Sequence, residues 1–434
     1  MQEKKAFGLV SAVMLGIGSM VGAGIFIVIG EAGAIAGNIV WISFIFGGIT
    51  ALLSGYSLAK LSLRYPSRGG IVEFLVQTYG EGVFSGSAGV LFYFSGLIAI
   101  AAVAKSFGVY ASTFMQHGDK FWINVYAVGV VALFALINLV GASIVAKSEN
   151  IIVAIKVSVL VIFAVAAAFN IDPKLLSVAD MPPLKNMLYA IGLTFFAYQG
   201  FSVITNTVED MQDPQKTMIR SMTIAIILVA ALYILTSIAV LGNLPLPEVI
   251  KAKDYALAEA AKPIFGELGF KIMAATALLS TASAINASLY ATTEIGYTMA
   301  KKGNLPEVYS YNVFNSFEGL IISTILIIPM ILFFNLSEIT TVATLVVLIV
   351  QGATHIGHLF KINETKANKF LVILAIVLIF SVVILTLRYT YLHDPQIGYY
   401  LLGAFGIAYI LELLLRLFTK RVISKQITDI FEDI

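Results

Sequence analysis

The sequence predicts an all-α integral membrane protein with twelve transmembrane helices, and three observations carry that prediction. Of its 434 residues, 59% are hydrophobic and 12% charged, against about 45–50% and about 25% in soluble domains. Apolar stretches recur along the whole chain, each close to the roughly 20 residues that a helix needs to cross about 30 Å of hydrocarbon. The connections between them are too short to fold as soluble domains, so any function is built inside the membrane or at its surfaces.

The first six spans fall near residues 7–31, 38–63, 83–116, 122–146, 148–169 and 186–208. The other six fall near 222–242, 266–299, 318–336, 338–358, 370–390 and 396–418. The first is too long for a signal peptide and has no small-residue cleavage site after it, so it is expected to remain as a span. Spans nine and ten are divided only by Asn335, Ser337 and Glu338, a helix end followed by N-cap chemistry. Residues 243–265 read as a short surface helix between prolines.

An even number of spans puts both termini on one side. Lys and Arg are more frequent in the connections on that side, from Lys4 and Lys5 through Lys60, Arg64 and Arg68 to Arg416, Lys420, Arg421 and Lys425. The positive-inside rule then makes the termini cytoplasmic and the protein a multi-pass protein of the cell membrane. The formal net charge of +2 gives no reason to expect a nucleic-acid partner. With no cysteine, disulfide and thiolate chemistry are absent. The histidines show no spacing suited to a metal site; His355 and His358, one turn apart, read as structural. Nothing calls for a cofactor, and no nucleophile and base come together as an enzyme would need.

Two spans are interrupted by glycine at mid-length. Span one contains GIGSMVGAGIF, with glycines at 16, 18, 22 and 24; span six contains LTFFAYQGFSVITN, interrupted at Gln199 and Gly200. Taken alone, Gly18 and Gly22 are a GxxxG packing motif. A helix broken there would instead present N–H groups to a carboxylate and free carbonyls to an ammonium, the two ends of a zwitterion. An offset of five spans is what two five-helix repeats of opposite orientation give, and matching interruptions point to a transporter's binding site.

Lys156 lies about two turns inside span five, where an ammonium costs about 2.5–3.5 kcal/mol on insertion scales and so faces a cavity or a partner. Snorkelling toward the end that holds Lys147 and Glu149 is the other reading. Buried lysines release protons more readily than exposed ones, which suits a proton switch. Span eight adds Ser280, Thr281, Ser283, Asn286 and Ser288, a density of small polar groups that can face span one. Glu412 and Arg416, four residues apart on span twelve, read as a neutralising pair.

GIGSMVGAGIF resembles the first-helix signature of the amino acid–polyamine–organocation (APC) superfamily. PSRGGIVEFL (66–75), EDMQDPQKTMIRS (209–221) and AKKGNLP (300–306) are similar to that family's connections after helices two, six and eight. The likeness covers nearly the whole chain, and the lysine of span five is shared with an archaeal proton-coupled member. The resemblance implies the LeuT fold: a first repeat over 1–169, an inverted second over 170–360, and two further helices with the tail over 361–434, helices one and six being broken. It implies that protonated Lys156 contacts the Gly18 carbonyl and the Ser283 hydroxyl, in the place of a sodium ion. It assigns the substrate carboxylate to the backbone at Gly22, Ala23 and Gly24, and the ammonium to carbonyls of Met20, Phe196 and Gln199, with Gly200 in the same interruption.

The expected function is proton-coupled symport of neutral L-amino acids by alternating access, with the amino acid, the proton and the bilayer as the partners. Phe201 and Ser202 stand where some relatives carry an acidic residue, so a cationic cargo would lack a counter-charge. An exchanger and a non-transporting amino acid sensor remain as alternatives.

Overall fold

A computed structural model describes residues 8–67, 69–115, 119–140, 143–177, 182–314 and 316–419. Lys4, Lys5, Arg68 and the tail from Lys420 lie outside these, as do the side chains of Ala23, Lys147 and Glu149. The chain is almost wholly helical. Among the described residues, ten helical stretches are long and apolar enough to cross a membrane, with shorter apolar helices beside them.

The first half of the chain comprises α1 (Leu9–Ala36), α2 (Val40–Arg64), a short α3 (Ile71–Tyr79), α4 (Val83–Met115), α5 (Lys120–Val140) and α6 (Ser143–Ala168). Next, α7 (Leu184–Tyr198) continues directly into a 3₁₀-helix, Gln199–Asp210, and α8 (Pro214–Asn243) follows. The expected surface helix appears as α9 (Leu246–Lys251), a 3₁₀ turn at Lys253–Tyr255 and α10 (Ala256–Glu259). The remaining helices are α11 (Lys262–Lys301), α12 (Glu318–Phe333), α13 (Leu336–Phe360), α14 (Ile362–Thr365), α15 (Lys369–His393) and α16 (Gln396–Thr419). A two-stranded hairpin, Asn312–Val313 with Ser316–Phe317, precedes α12.

Local chemistry explains several boundaries. Asn335 starts α13 through a full capping box: its side chain accepts from the Glu338 N–H, and the Glu338 carboxylate accepts from the Asn335 N–H. Pro214 sits in the first turn of α8, where no N–H is needed. Gly266 turns the start of α11 sharply at φ 65°, a conformation that L side chains avoid. α3 went unpredicted because nine residues are too few to register as a span; it buries Ile71, Val72, Phe74 and Leu75 against the bundle.

At the centre, α1 packs on α7 and α8, α2 on α7 and α8, and α4 on α11 and α13. Large apolar side chains remain exposed on the outer helices, among them Leu136, Ile162, Ile384, Leu402 and Phe418. That is the pattern of a bundle surrounded by lipid, in which an outward leucine loses nothing by exposure.

One expectation is corrected. Span one is not broken: α1 is a single 28-residue helix running through all four glycines of GIGSMVGAGIF. In hydrocarbon a freed backbone group costs several kcal/mol, whereas glycine in a helix costs only about 1 kcal/mol relative to alanine. The glycines serve close approach here. A Cβ on Gly16 would lie 2.5 Å from Ile204, one on Gly22 2.9 Å from Ala284, and one on Gly24 2.6 Å from the Ala197 carbonyl oxygen. Span six does change at Gln199, from α- to 3₁₀-helix. Twelve residues of 3₁₀-helix is long for a geometry that seldom exceeds 3–4 residues, and such stretches mark strain or a hinge.

Candidate functional site

The glycine-rich stretch of α1 and the junction of α7 with the 3₁₀-helix face one another. Gly200 sits against α1 so closely that a Cβ there would lie 2.5 Å from the carbonyl carbon of Ser19 and 2.7 Å from the Met20 nitrogen. Gly24 meets the end of α7 at Ala197. The structure therefore brings Met20 and Gly24 of α1 against Ala197 and Gly200, next in sequence to Phe196 and Gln199, whereas Gly22 of the same helix turns toward Ala284 of α11. Met20 and Phe196 are buried, and the buried Gln199 Nε2 has no hydrogen-bond partner among the described residues.

Lys156 reaches this contact from α6. It is 1% exposed, and its Nζ donates to the Gly18 carbonyl oxygen at 2.8 Å. The same Nζ lies 3.8 Å from where a Cβ on Gly22 would stand, beside Ala284 of α11. Snorkelling is thereby excluded: the ammonium points into the bundle. Ser283, its second expected partner, is buried on α11.

Lys156 is one of several donors converging on α1. The Ser280 hydroxyl donates to the carbonyls of Val21 at 2.9 Å and Gly22 at 2.7 Å. Tyr233 of α8 donates to Met20 O at 2.7 Å and Ala197 O at 3.1 Å. Carbonyls 18, 20, 21 and 22 of one helix thus accept from side chains of three others. A carbonyl has a second lone pair for this purpose, and a helix whose carbonyls already have outside donors loses less if its own bonds open. The sequence reading missed Tyr233, because a single tyrosine in an apolar helix carries no pattern. Its nearest signal was the apolar setting itself, since a buried phenol needs an acceptor.

Deeper in the interface, the Asn138 side chain of α5 donates to Asn286 Oδ1 of α11 at 2.8 Å, while Thr281 bonds within its own helix to Ala277 O at 2.7 Å. Among the described residues no three metal-ligating side chains come together.

Beyond the C-terminal half of α1, the segment from α9 to α10 forms a cap. Gly30 lies under the Lys253 backbone, with room for no side chain, and Lys253 Nζ pairs with Glu31 Oε1 at 3.1 Å. Burial acts to lower the Lys253 pKa, but Glu31 and Asp254 more than offset it and hold the ammonium above its ordinary value. Burial pushes the Asp254 carboxyl up despite Lys253 and Lys105.

Near the end of α2, the motifs quoted above meet. Gly70, at φ 52°, faces Asn206 of the 3₁₀-helix, and Glu73 pairs with Lys302. Glu412 and Arg416 do pair, at 2.6 Å, with Glu412 against Gly86 of α4.

The family model described as amino acid permease matches residues 7–426. The chain belongs to the amino acid permease family. This permease is 34% identical over 426 residues to an uncharacterized protein of Methanocaldococcus jannaschii, covering 97% of this chain and 98% of that one. It is 35% identical to the inner membrane transport protein YbaT of Escherichia coli over 88% and 89% of the two chains. The serine/threonine exchanger SteT of Bacillus subtilis is 26% identical over 70% of each.

Proposed function

We propose that this permease is a proton-coupled symporter of neutral L-amino acids. The observation that carries the reading is the Lys156 ammonium, withdrawn from water and bonded to the Gly18 carbonyl between α6, α1 and α11. Such a group links three helices when protonated and releases them when neutral. In the proposed arrangement, residues 1–169 and 170–360 are inverted repeats, 361–434 adds two helices and the tail, and the termini are cytoplasmic.

The cycle runs as alternating access. Proton uptake from outside sets Lys156 against Gly18 and Ser283. α1 then opens at Gly22 to Gly24, where N–H groups take the substrate carboxylate, and carbonyls of Met20, Phe196 and Gln199 take its ammonium. The donors already on carbonyls 18 to 22 lower the cost of that opening. α1, α2, α7 and α8 rock against the remaining helices, and proton loss inside weakens the site. Each charge moved inward gains about 2.3 kcal/mol per 100 mV. Phe201 and Ser202 after the interruption supply no counter-charge for a cationic side chain, which supports a neutral cargo.

The test is uptake into empty proteoliposomes under an inward pH gradient, which this reading requires. Similarity to a serine/threonine exchanger favours a second reading, obligate exchange, in which only preloaded vesicles take up label.

A further inference from the structure

Between α2 and α13 lies a buried polar network that the transport cycle above does not use. Ser54 and Ser57 project from α2 onto His355 and His358 of α13, and all four are wholly buried. The Ser57 Oγ is 2.8 Å from His355 Nδ1 and 2.7 Å from His358 Nδ1. Beyond these, His355 Nε2 is 2.8 Å from Ser54 Oγ, and His358 Nε2 is 2.8 Å from Thr365 Oγ1 in α14. The Ser54 Oγ closes the inner end, 3.1 Å from Gln351 Oε1, to which it can donate, and the Gln351 Nε2 is buried with no partner among the described residues.

A hydroxyl has one hydrogen, and a neutral imidazole has one donor and one acceptor nitrogen. Ser57, set between two Nδ1 atoms, therefore donates to one ring and accepts from the other. Every other bond then follows, and the two histidines hold opposite tautomers. The chain has two self-consistent polarities. In one, Thr365 is free to donate outward to Ile362 O, 3.2 Å away; in the other, Ser54 donates to Gln351.

We propose that Ser54, His355, Ser57, His358 and Thr365 form a proton wire, with Gln351 at its inner end, through which the coupling proton leaves toward the face where α14 lies. The proposal rests on the proton-coupled reading. A proton reaching the Ser54 oxygen displaces the Ser54 hydrogen to His355 Nε2. His355 Nδ1–H passes to Ser57, the Ser57 hydrogen to His358 Nδ1, His358 Nε2–H to Thr365, and the Thr365 hydrogen to water. Each residue that gains a hydrogen gives one up, the histidines at the opposite ring nitrogen, so no net charge stays behind and the wire is left in its reversed polarity. With every ring nitrogen bonded the rings cannot turn in place, so the wire resets only when α2 and α13 separate. One proton passes per cycle.

The charged groups facing this end are Lys60 of α2, bonded to Lys366 O, and Lys361 with Glu364 beside α14; from α3, Tyr79 donates to Ala353 O. Arg64 and Tyr65 also reach Glu364. Together they hold α14, and with it Thr365, against the end of α2.

Two measurements on the full-length protein test the wire. In proteoliposomes holding a pH-sensitive dye and given labelled neutral L-amino acids, Ser57→Ala is expected to keep amino acid exchange while proton entry per amino acid falls at least about tenfold. Ser57→Thr restores it. Proton entry unchanged in Ser57→Ala overturns the wire and leaves the symport reading standing, whereas wild-type uptake without proton entry overturns both. Should Ser57→Ala not assemble, nitrogen-15 NMR of histidine-labelled wild type decides: opposite tautomers at His355 and His358 are expected, and identical tautomers overturn the proposal.

Discussion

The Tyr233 hydroxyl touches α1 and α7 at once, donating to Met20 O in the glycine-rich stretch of α1 and to Ala197 O on the last turn of α7. One phenol of α8 thus holds together the two places where the permease is expected to open. Removing it leaves two buried carbonyls without the one hydrogen they share, at about 1 kcal/mol net. Tyr233→Phe is expected to lower the melting temperature of the purified protein and to slow uptake several-fold. Unchanged uptake would mean that the tie has no part in the cycle.

The glycines of α1 divide by what they meet. Gly24 faces backbone, the Ala197 oxygen and Cα at 2.6 and 2.7 Å, which cannot give way without moving α7. Gly16 faces the tip of the Ile204 side chain, which can change rotamer. Gly24→Ala is expected to destabilise by about 1–3 kcal/mol, the usual cost of overpacking, and Gly16→Ala by less. Thermal melts of the two variants side by side check the order.

Glu31 is 7% exposed at its side chain and paired with Lys253, which is 43% exposed. Removing the partner of a buried carboxylate costs more than removing both, because the charge is left unpaired. Lys253→Ala is expected to lower the melting temperature, and Glu31→Gln with Lys253→Ala to recover most of the loss. A double variant no more stable than the single one contradicts this.

Glu73 supplies a pH dependence. Burial acts to raise its carboxyl pKa, but hydrogen bonds from Gln77 and Lys302 and the Lys302 charge hold it below the ordinary 4.5. A depressed carboxylate contributes stability above its unfolded pKa and loses it as pH falls through the folded value. Glu73→Gln is therefore expected to melt lower than wild type at neutral pH and to converge with it once the pH has fallen below the depressed carboxyl's range. A gap that persists in acid assigns the loss to packing instead.

Much of this was legible in the sequence because membranes impose simple rules: length and apolar content located the helices, and the Asn335 and Glu338 pair located the cap between α12 and α13. Lys156 was legible as a buried charge, since hydrocarbon makes such a residue conspicuous. The state of α1 was not, because four glycines satisfy both a break and a tight helix contact, and only Ala284, Ala197 and Ile204 across the interface decide between them. Tyr233, Ser54 and Ser57 were illegible for a related reason. Their partners lie on helices remote in sequence, His355 being 298 residues from Ser57.

The central claim, that Lys156 couples proton to amino acid, is tested most directly by Lys156→Ala in proteoliposomes under an inward pH gradient, with exchange in preloaded vesicles as the control for folding. The expected result is exchange that survives while uptake no longer responds to the gradient. Uptake by Lys156→Ala that still depends fully on the inward gradient would contradict the claim.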